Sequence, residues 1–107
     1  MTRWRTDIPL TPLQLVRESR RVVADVMRRI PDTSLDPDDI AGDLVVDILR
    51  RLDPDSTVRI PATTRRGDPI PWRSWFYLRA RSVCYAARRS ELARRRRERD
   101  YHDATHP

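Results

Sequence analysis

The stretch PWRSWFYLRARSVCYAARRSELARRRRERD, residues 71–100, decides the fold. Trp72, Trp75, Phe76, Ala80, Val83 and Ala87 recur three or four residues apart, the spacing of one helix face, over about four turns. Beyond Ala87 the apolar stripe thins out while arginines continue, so the helix is expected to run on with its end in solvent. A helix with one apolar stripe is stable only when that stripe is buried against other elements.

Working outward, two more helices supply those partners. Thr11-Pro12-Leu13-Gln14 is a start signal: an N-cap threonine, proline at the first helical position and glutamine at the capping-box position. Leu15, Val16, Ser19, Val22, Val23, Val26, Met27 and Ile30 then share a face, and Pro31 is expected to end the helix. Asp36-Pro37-Asp38-Asp39 is a second start, with carboxylates where the helix dipole favours them. Ile40, Ala41, Leu44, Val45, Ile48 and Leu52 form its stripe, Arg50 and Arg51 occupy its last turn, and Asp53-Pro54 closes it.

Residues 54–71, rich in proline and threonine, show no periodicity and are expected to be a long loop, ordered or mobile. Residues 1–11 read as an irregular lead-in, 12–99 as one helical domain and 100–107 as a polar tail. The expected fold is therefore all-α: a compact domain of three to four helices with a long, arginine-rich C-terminal helix.

Composition narrows the function. Of 107 residues, 38% are apolar and 36% charged, with a formal charge of +6 carried entirely by arginine on the basic side. Such a balance favours polyanions, nucleic acid first. The arginines suit bidentate phosphate contacts, although a GC-rich genome also writes arginine by default. Cys84 alone makes no disulfide or cysteine zinc cluster, and no apolar run approaches the roughly 20 residues of a membrane span. Without a secretory signal at the N-terminus, a cytoplasmic protein is expected. His102 and His106 lack a third metal ligand, Cys84 lacks a general base, and Gly42 and Gly67 form no phosphate loop. No cofactor, metal or enzymatic chemistry is expected.

Two faces could carry binding. On the long helix, Tyr77, Arg81, Tyr85 and Arg88 follow one another at spacings of three or four, so rings could stack on bases while guanidinium groups hold phosphates. Arg73 precedes them, and Arg89, Arg94, Arg95, Arg96, Arg97 and Arg99 extend the run. Six phosphate contacts would give a log–log salt slope of about −5. On the second helix, Asp39, Asp43 and Arg50 face outward with Asp47 at the edge and Val46 in the middle, the look of a small protein-docking face. Arg79 falls on the apolar side of its helix, where it must snorkel or pair with an acid. Gly42 weakens the helix it sits in.

Two segments resemble region two of bacterial RNA polymerase sigma factors, the extracytoplasmic-function type in particular. DPDDIAGDLVVDILRRL (36–52) is similar to the family's acid-opened helix through Asp36, Asp38, Asp39, Ile40 and Asp43. PWRSWFYLRARSVCYAARRSELARRRR (71–97) is similar to its aromatic, arginine-rich helix through Trp72, Arg73, Trp75, Ala80, Arg81 and Arg89. The resemblance implies that Asp39, Asp43 and their neighbours dock on the coiled coil of the largest subunit of core RNA polymerase. It also implies that Tyr77, Arg81, Tyr85, Arg88 and Arg89 hold single-stranded DNA of a −10-like element. The family's second DNA-reading domain, region four, is not expected in this chain. That leaves a minimal sigma factor, half of a split one, or a decoy occupying the polymerase. A general basic DNA- or RNA-binding module is the alternative outside the family.

Overall fold

In the computed structural model, which describes residues 3–30 and 34–105, three helices follow one another: α1 (Pro12–Met27), α2 (Pro37–Leu52) and α3 (Trp72–Thr105). The capping box of α1 is complete. The Thr11 hydroxyl accepts from the Gln14 amide at 3.2 Å, and the Gln14 side chain accepts from the Thr11 amide at 2.8 Å. At the start of α2, the Asp36 carboxylate accepts from the Asp38 amide at 2.9 Å, with Pro37 in the first turn. The helix ends at Met27, and residues 28–30 continue as a turn that still delivers Ile30 to the core. Pro31 lies outside the described residues.

The three stripes bury against one another. Leu15, Val23, Leu44, Ile48, Ala80 and Cys84 are all within 1% of full burial. The contacts of α1 and α3 advance together along the two helices. Val22 shares a hollow with Phe76, Arg29 reaches Tyr77, and Ser34, past the end of α1, reaches Arg95. The two helices therefore run in the same sense.

Residues 54–71 do form a loop, and contacts with the lead-in tie it down. Residues 3–5 run alongside 60–62: the Arg5 amide donates to the Ile60 carbonyl at 2.8 Å and the Ala62 amide to the Arg3 carbonyl at 2.7 Å. Between those bonds Ile60 drops into the core with no exposure, a contribution of about 2 kcal/mol. Residues 62–70 double back on themselves. The Ile70 amide donates to Ala62, and a tight turn at Thr64–Gly67 uses the positive φ of 90° at Gly67. The lead-in is thus part of the fold as well. Arg5 spans the junction, donating to the Ile70 carbonyl at 2.9 Å with its guanidinium 5.3 Å from the Trp72 ring centre.

At the other end, α3 passes the expected limit of residue 99 and continues through the segment read as a tail to Thr105. Its 34 residues span about 51 Å of a molecule measuring 59 × 27 × 23 Å. Residues 92–105 are exposed without exception.

Gly42 sits in mid-α2, and a Cβ built there would meet nothing within 4 Å. Gly42→Ala should therefore stabilise the fold by about 1 kcal/mol and raise the melting temperature by about 5 °C, read by thermal denaturation. An unchanged or lower melting temperature would contradict the open surroundings of that position.

Candidate functional site

The outward face of α2, expected to dock a protein, and the arginine face of α3 meet near the contact between Arg79 and its acid. Arg79 Nε and Nη2 donate to the two oxygens of Asp47 at 2.6 and 3.1 Å, joining α3 to α2. Arg51 Nε adds a third bond at 3.0 Å, and Arg50 lies 3.7 Å away. Burial alone would raise the Asp47 pKa, but the hydrogen bonds and charges of Arg79 and Arg51 outweigh it and hold the carboxyl below its ordinary value. Asp47, expected at the edge of the outward face, is thus turned inward with a side chain only 10% exposed. Its carboxylate is engaged inside the molecule.

Asp39, Asp43, Val46 and Arg50 do face solvent on α2. Val46 is 65% exposed, and Leu49, at 53%, stands beside it. Leu49 falls outside the inward stripe, so a search for apolar periodicity passes over it. The signal was its place one turn beyond Val46. The outward face is therefore an apolar pair, Val46 and Leu49, preceded by two acids and flanked by an arginine.

On α3 the expected line of rings and guanidinium groups divides. Tyr77 is half-buried toward α1, where its hydroxyl oxygen accepts from Arg29 Nη1 at 3.4 Å. Tyr85 is half-buried too, with the Arg81 guanidinium 5.8 Å from its ring centre. Leu78, Arg81, Ser82, Tyr85 and Arg89 line a shallow, open depression, with Tyr85 packed partly against the core. Leu78 is 58% exposed and escaped the sequence reading. Arg88 keeps its stem against the body, its Nε buried without a hydrogen-bond partner among the described residues. Arg73 is exposed at the start of the helix, where its charge helps Arg21 lower the pKa of Glu18.

The arginine run is sorted by helix face. Arg94 bonds both Glu91 and Glu98, and Arg95 Nε donates to Glu91 at 3.2 Å. These four residues continue the line that faces the core farther back, through Phe76, Ala80, Cys84 and Ala87. Where α3 leaves the body, an ion-pair ladder replaces its apolar stripe. The bond from Arg94 and the nearby arginine charges lower the pKa of Glu91. On the opposite side, Arg81, Tyr85, Arg89, Leu92, Arg96 and Arg99 succeed one another three or four residues apart, forming one continuous strip. Among the described residues, Arg89, Arg96, Arg97 and Arg99 have no carboxylate partner.

Cys84 sits in the core without exposure, and burial pushes its thiol up to about 11, so it stays protonated at neutral pH. His102 lies on the exposed last turns of α3, and His106 falls outside the described residues. Among the described residues, no group of three or more candidate metal ligands converges and no helix is long and apolar enough to cross a membrane. No family model, curated protein or solved structure matches the chain.

Asp47→Asn should cost about 2 kcal/mol, because it leaves Arg79 and Arg51 partly buried without their counter-charge. The folded carboxyl titrates below the ordinary 3.8. Its contribution is therefore complete above that value and disappears as pH falls through the lower, folded one. Urea melts from pH 7 to 3 should show the gap between wild type and variant narrowing only below about pH 4. A gap that is constant with pH would mean that the pair does not carry the difference.

Proposed function

We propose that the protein is a sigma-region-two-like transcription factor, docking on core RNA polymerase through α2 and holding DNA against the outer strip of α3. The observation that carries this reading is a division of exposed residues between two neighbouring helices, whose two sets adjoin at a groove between α2 and α3 lined by Asp43, Val46, Arg50 and Arg89. Asp39 and Asp43 lie with exposed Val46 and Leu49 on α2, while Arg81, Tyr85, Arg89, Arg96 and Arg99 lie along α3. A small apolar patch edged by acids suits a basic helical surface such as the polymerase coiled coil. An aromatic ring set among unpaired guanidinium groups suits a nucleic-acid strand, whose bases stack and whose phosphates pair. The matching residues of segments 36–52 and 71–97 support the same assignment of faces.

In this role α2 delivers the protein to the enzyme. The depression around Tyr85 then takes an unpaired base, with Arg81 and Arg89 on the adjoining phosphates. Arg94 and Arg95, engaged by Glu91 and Glu98, contribute mainly to helix stability. A general basic module would use the arginine strip alone, and a polymerase decoy would use α2 alone.

Binding of the purified protein to core RNA polymerase separates these readings. Asp39→Arg with Asp43→Arg should weaken polymerase binding at least tenfold, leaving affinity for single-stranded DNA undiminished. Arg81→Glu with Arg96→Glu should do the reverse. Absence of micromolar polymerase binding by the wild type would overturn both the sigma-like and the decoy roles.

A further inference from the structure

We propose that the hollow between α1 and the start of α3 is a binding site for a small aromatic carboxylate. The inference goes beyond the polymerase and nucleic-acid roles, because its residues belong neither to the outward face of α2 nor to the strip around Tyr85.

The site is built from facing columns of two helices that run in the same sense. On the first two turns of α3, Trp72 with Phe76 and Arg73 with Tyr77 stand four residues apart. On α1, Glu18 with Val22 does the same beside Arg21, and Leu10 of the lead-in completes the lining. The hollow measures about 260 Å³, a space that about nine waters would fill, and a fused two-ring molecule is of that order. Rings and aliphatic groups with a few charged side chains are the usual lining of a small-molecule site.

The aromatic walls are already held in place. The Arg5 guanidinium lies 5.3 Å from the Trp72 ring centre, and the rings of Trp75 and Phe76 lie 5.5 and 6.0 Å from it. Phe76 is buried, and Tyr77 is held through its hydroxyl by Arg29. A ligand entering here orders few side chains, which keeps the entropic cost of binding low.

Charge selects the sign of the ligand. Two guanidinium groups and one carboxylate line the hollow. Arg21 is engaged with Glu18 through both Nε, at 3.2 Å, and Nη2. Arg73 makes no hydrogen bond or ion pair among the described residues, yet its charge is felt at Glu18, whose pKa it helps to lower. No acid stands in the first turn of α3, so the positive end of the helix dipole adds to the field of Arg73. A carboxylate at the mouth would pair with Arg73 while its rings pack among Trp72, Phe76 and Tyr77. An ammonium group there would meet two guanidinium groups of its own sign.

The experiment is a nuclear magnetic resonance titration of the nitrogen-15-labelled full chain with 2-naphthoate and with 2-naphthylmethylamine, which share a ring system and differ in charge. Naphthoate should shift the Trp72 indole and Arg73 amide signals saturably at submillimolar concentration, and the amine should bind at least tenfold more weakly. Arg73→Glu changes an exposed side chain, and the variant, folded by circular dichroism, should lose at least tenfold in naphthoate affinity. Arg97→Glu makes the same charge change about 36 Å farther along α3, beyond the screening length, and should leave that affinity within about twofold. Saturating single-stranded DNA should not displace naphthoate. No saturable shift at millimolar ligand, equal affinity for the two ligands, or equal losses in the two variants would overturn the site. Displacement by the DNA would overturn it too, by making the hollow a site for a base.

Discussion

One bidentate contact, Arg79 to Asp47, fixes how the exposed surfaces of this protein are arranged. Each residue alone would be misplaced: an arginine on the core side of α3, an acid on the inner side of α2. Together they satisfy one another at 2.6 and 3.1 Å, with Arg51 closing the carboxylate at 3.0 Å. Removing Asp47 strands the charge of Arg79, whereas removing Arg79 leaves Asp47 to Arg51, so the pair is costlier to break from the acid's side. Being directional, the pair also fixes how α2 and α3 sit against each other, which apolar packing alone leaves looser. With Asp47 drawn inward, Asp39 and Asp43 are left outward on α2. With Arg79 drawn to α2, Arg81, Tyr85 and Arg89 are left outward on α3.

The helices were legible because their signals are local. Thr11 with Gln14, Asp36 with Pro37, and the stripes at three- and four-residue spacing all appear where the sequence puts them. The rest depended on distance or on charge. Ile60 is one aliphatic between an arginine and a proline, and its burial follows only from pairing with residues 3–5, far away in sequence. The apolar stripe of α3 thins out beyond Ala87, so periodicity gives no signal for the turns that carry the helix past residue 99 to Thr105. The Glu91–Arg94–Glu98 pairs that keep the helix going act through charge. Arg79 announced its need for an acid, but several carboxylates were near enough in pattern, and only packing selects Asp47. Val46, Asp39 and Asp43 emerged from the sequence as a face; Leu49 and Leu78 did not, because an exposed leucine breaks the rule by which stripes are found.

The same sorting explains how a chain so rich in arginine builds one long helix. Like charges on a single face repel, and a run such as Arg94–Arg97 would fray in isolation. Two glutamates, at 91 and 98, bind the arginines of the back face and turn repulsion into a brace. On the front face Arg89, Arg96 and Arg99 have no carboxylate partner among the described residues. Charge that has a partner in the folded chain stiffens the helix, and charge that lacks one is available to a polyanion.

That division is the central claim, and it is tested most directly by comparing two double variants of identical net charge. One is Arg94→Ala with Arg95→Ala on the back, and the other is Arg96→Ala with Arg99→Ala on the front. Nucleic-acid affinity measured across a salt series should fall, with a slope shallower by about 2, only for the front pair. The back pair should lower helix content while leaving the slope unchanged. Equal losses from the two pairs would mean that total charge, and not its placement on α3, governs binding.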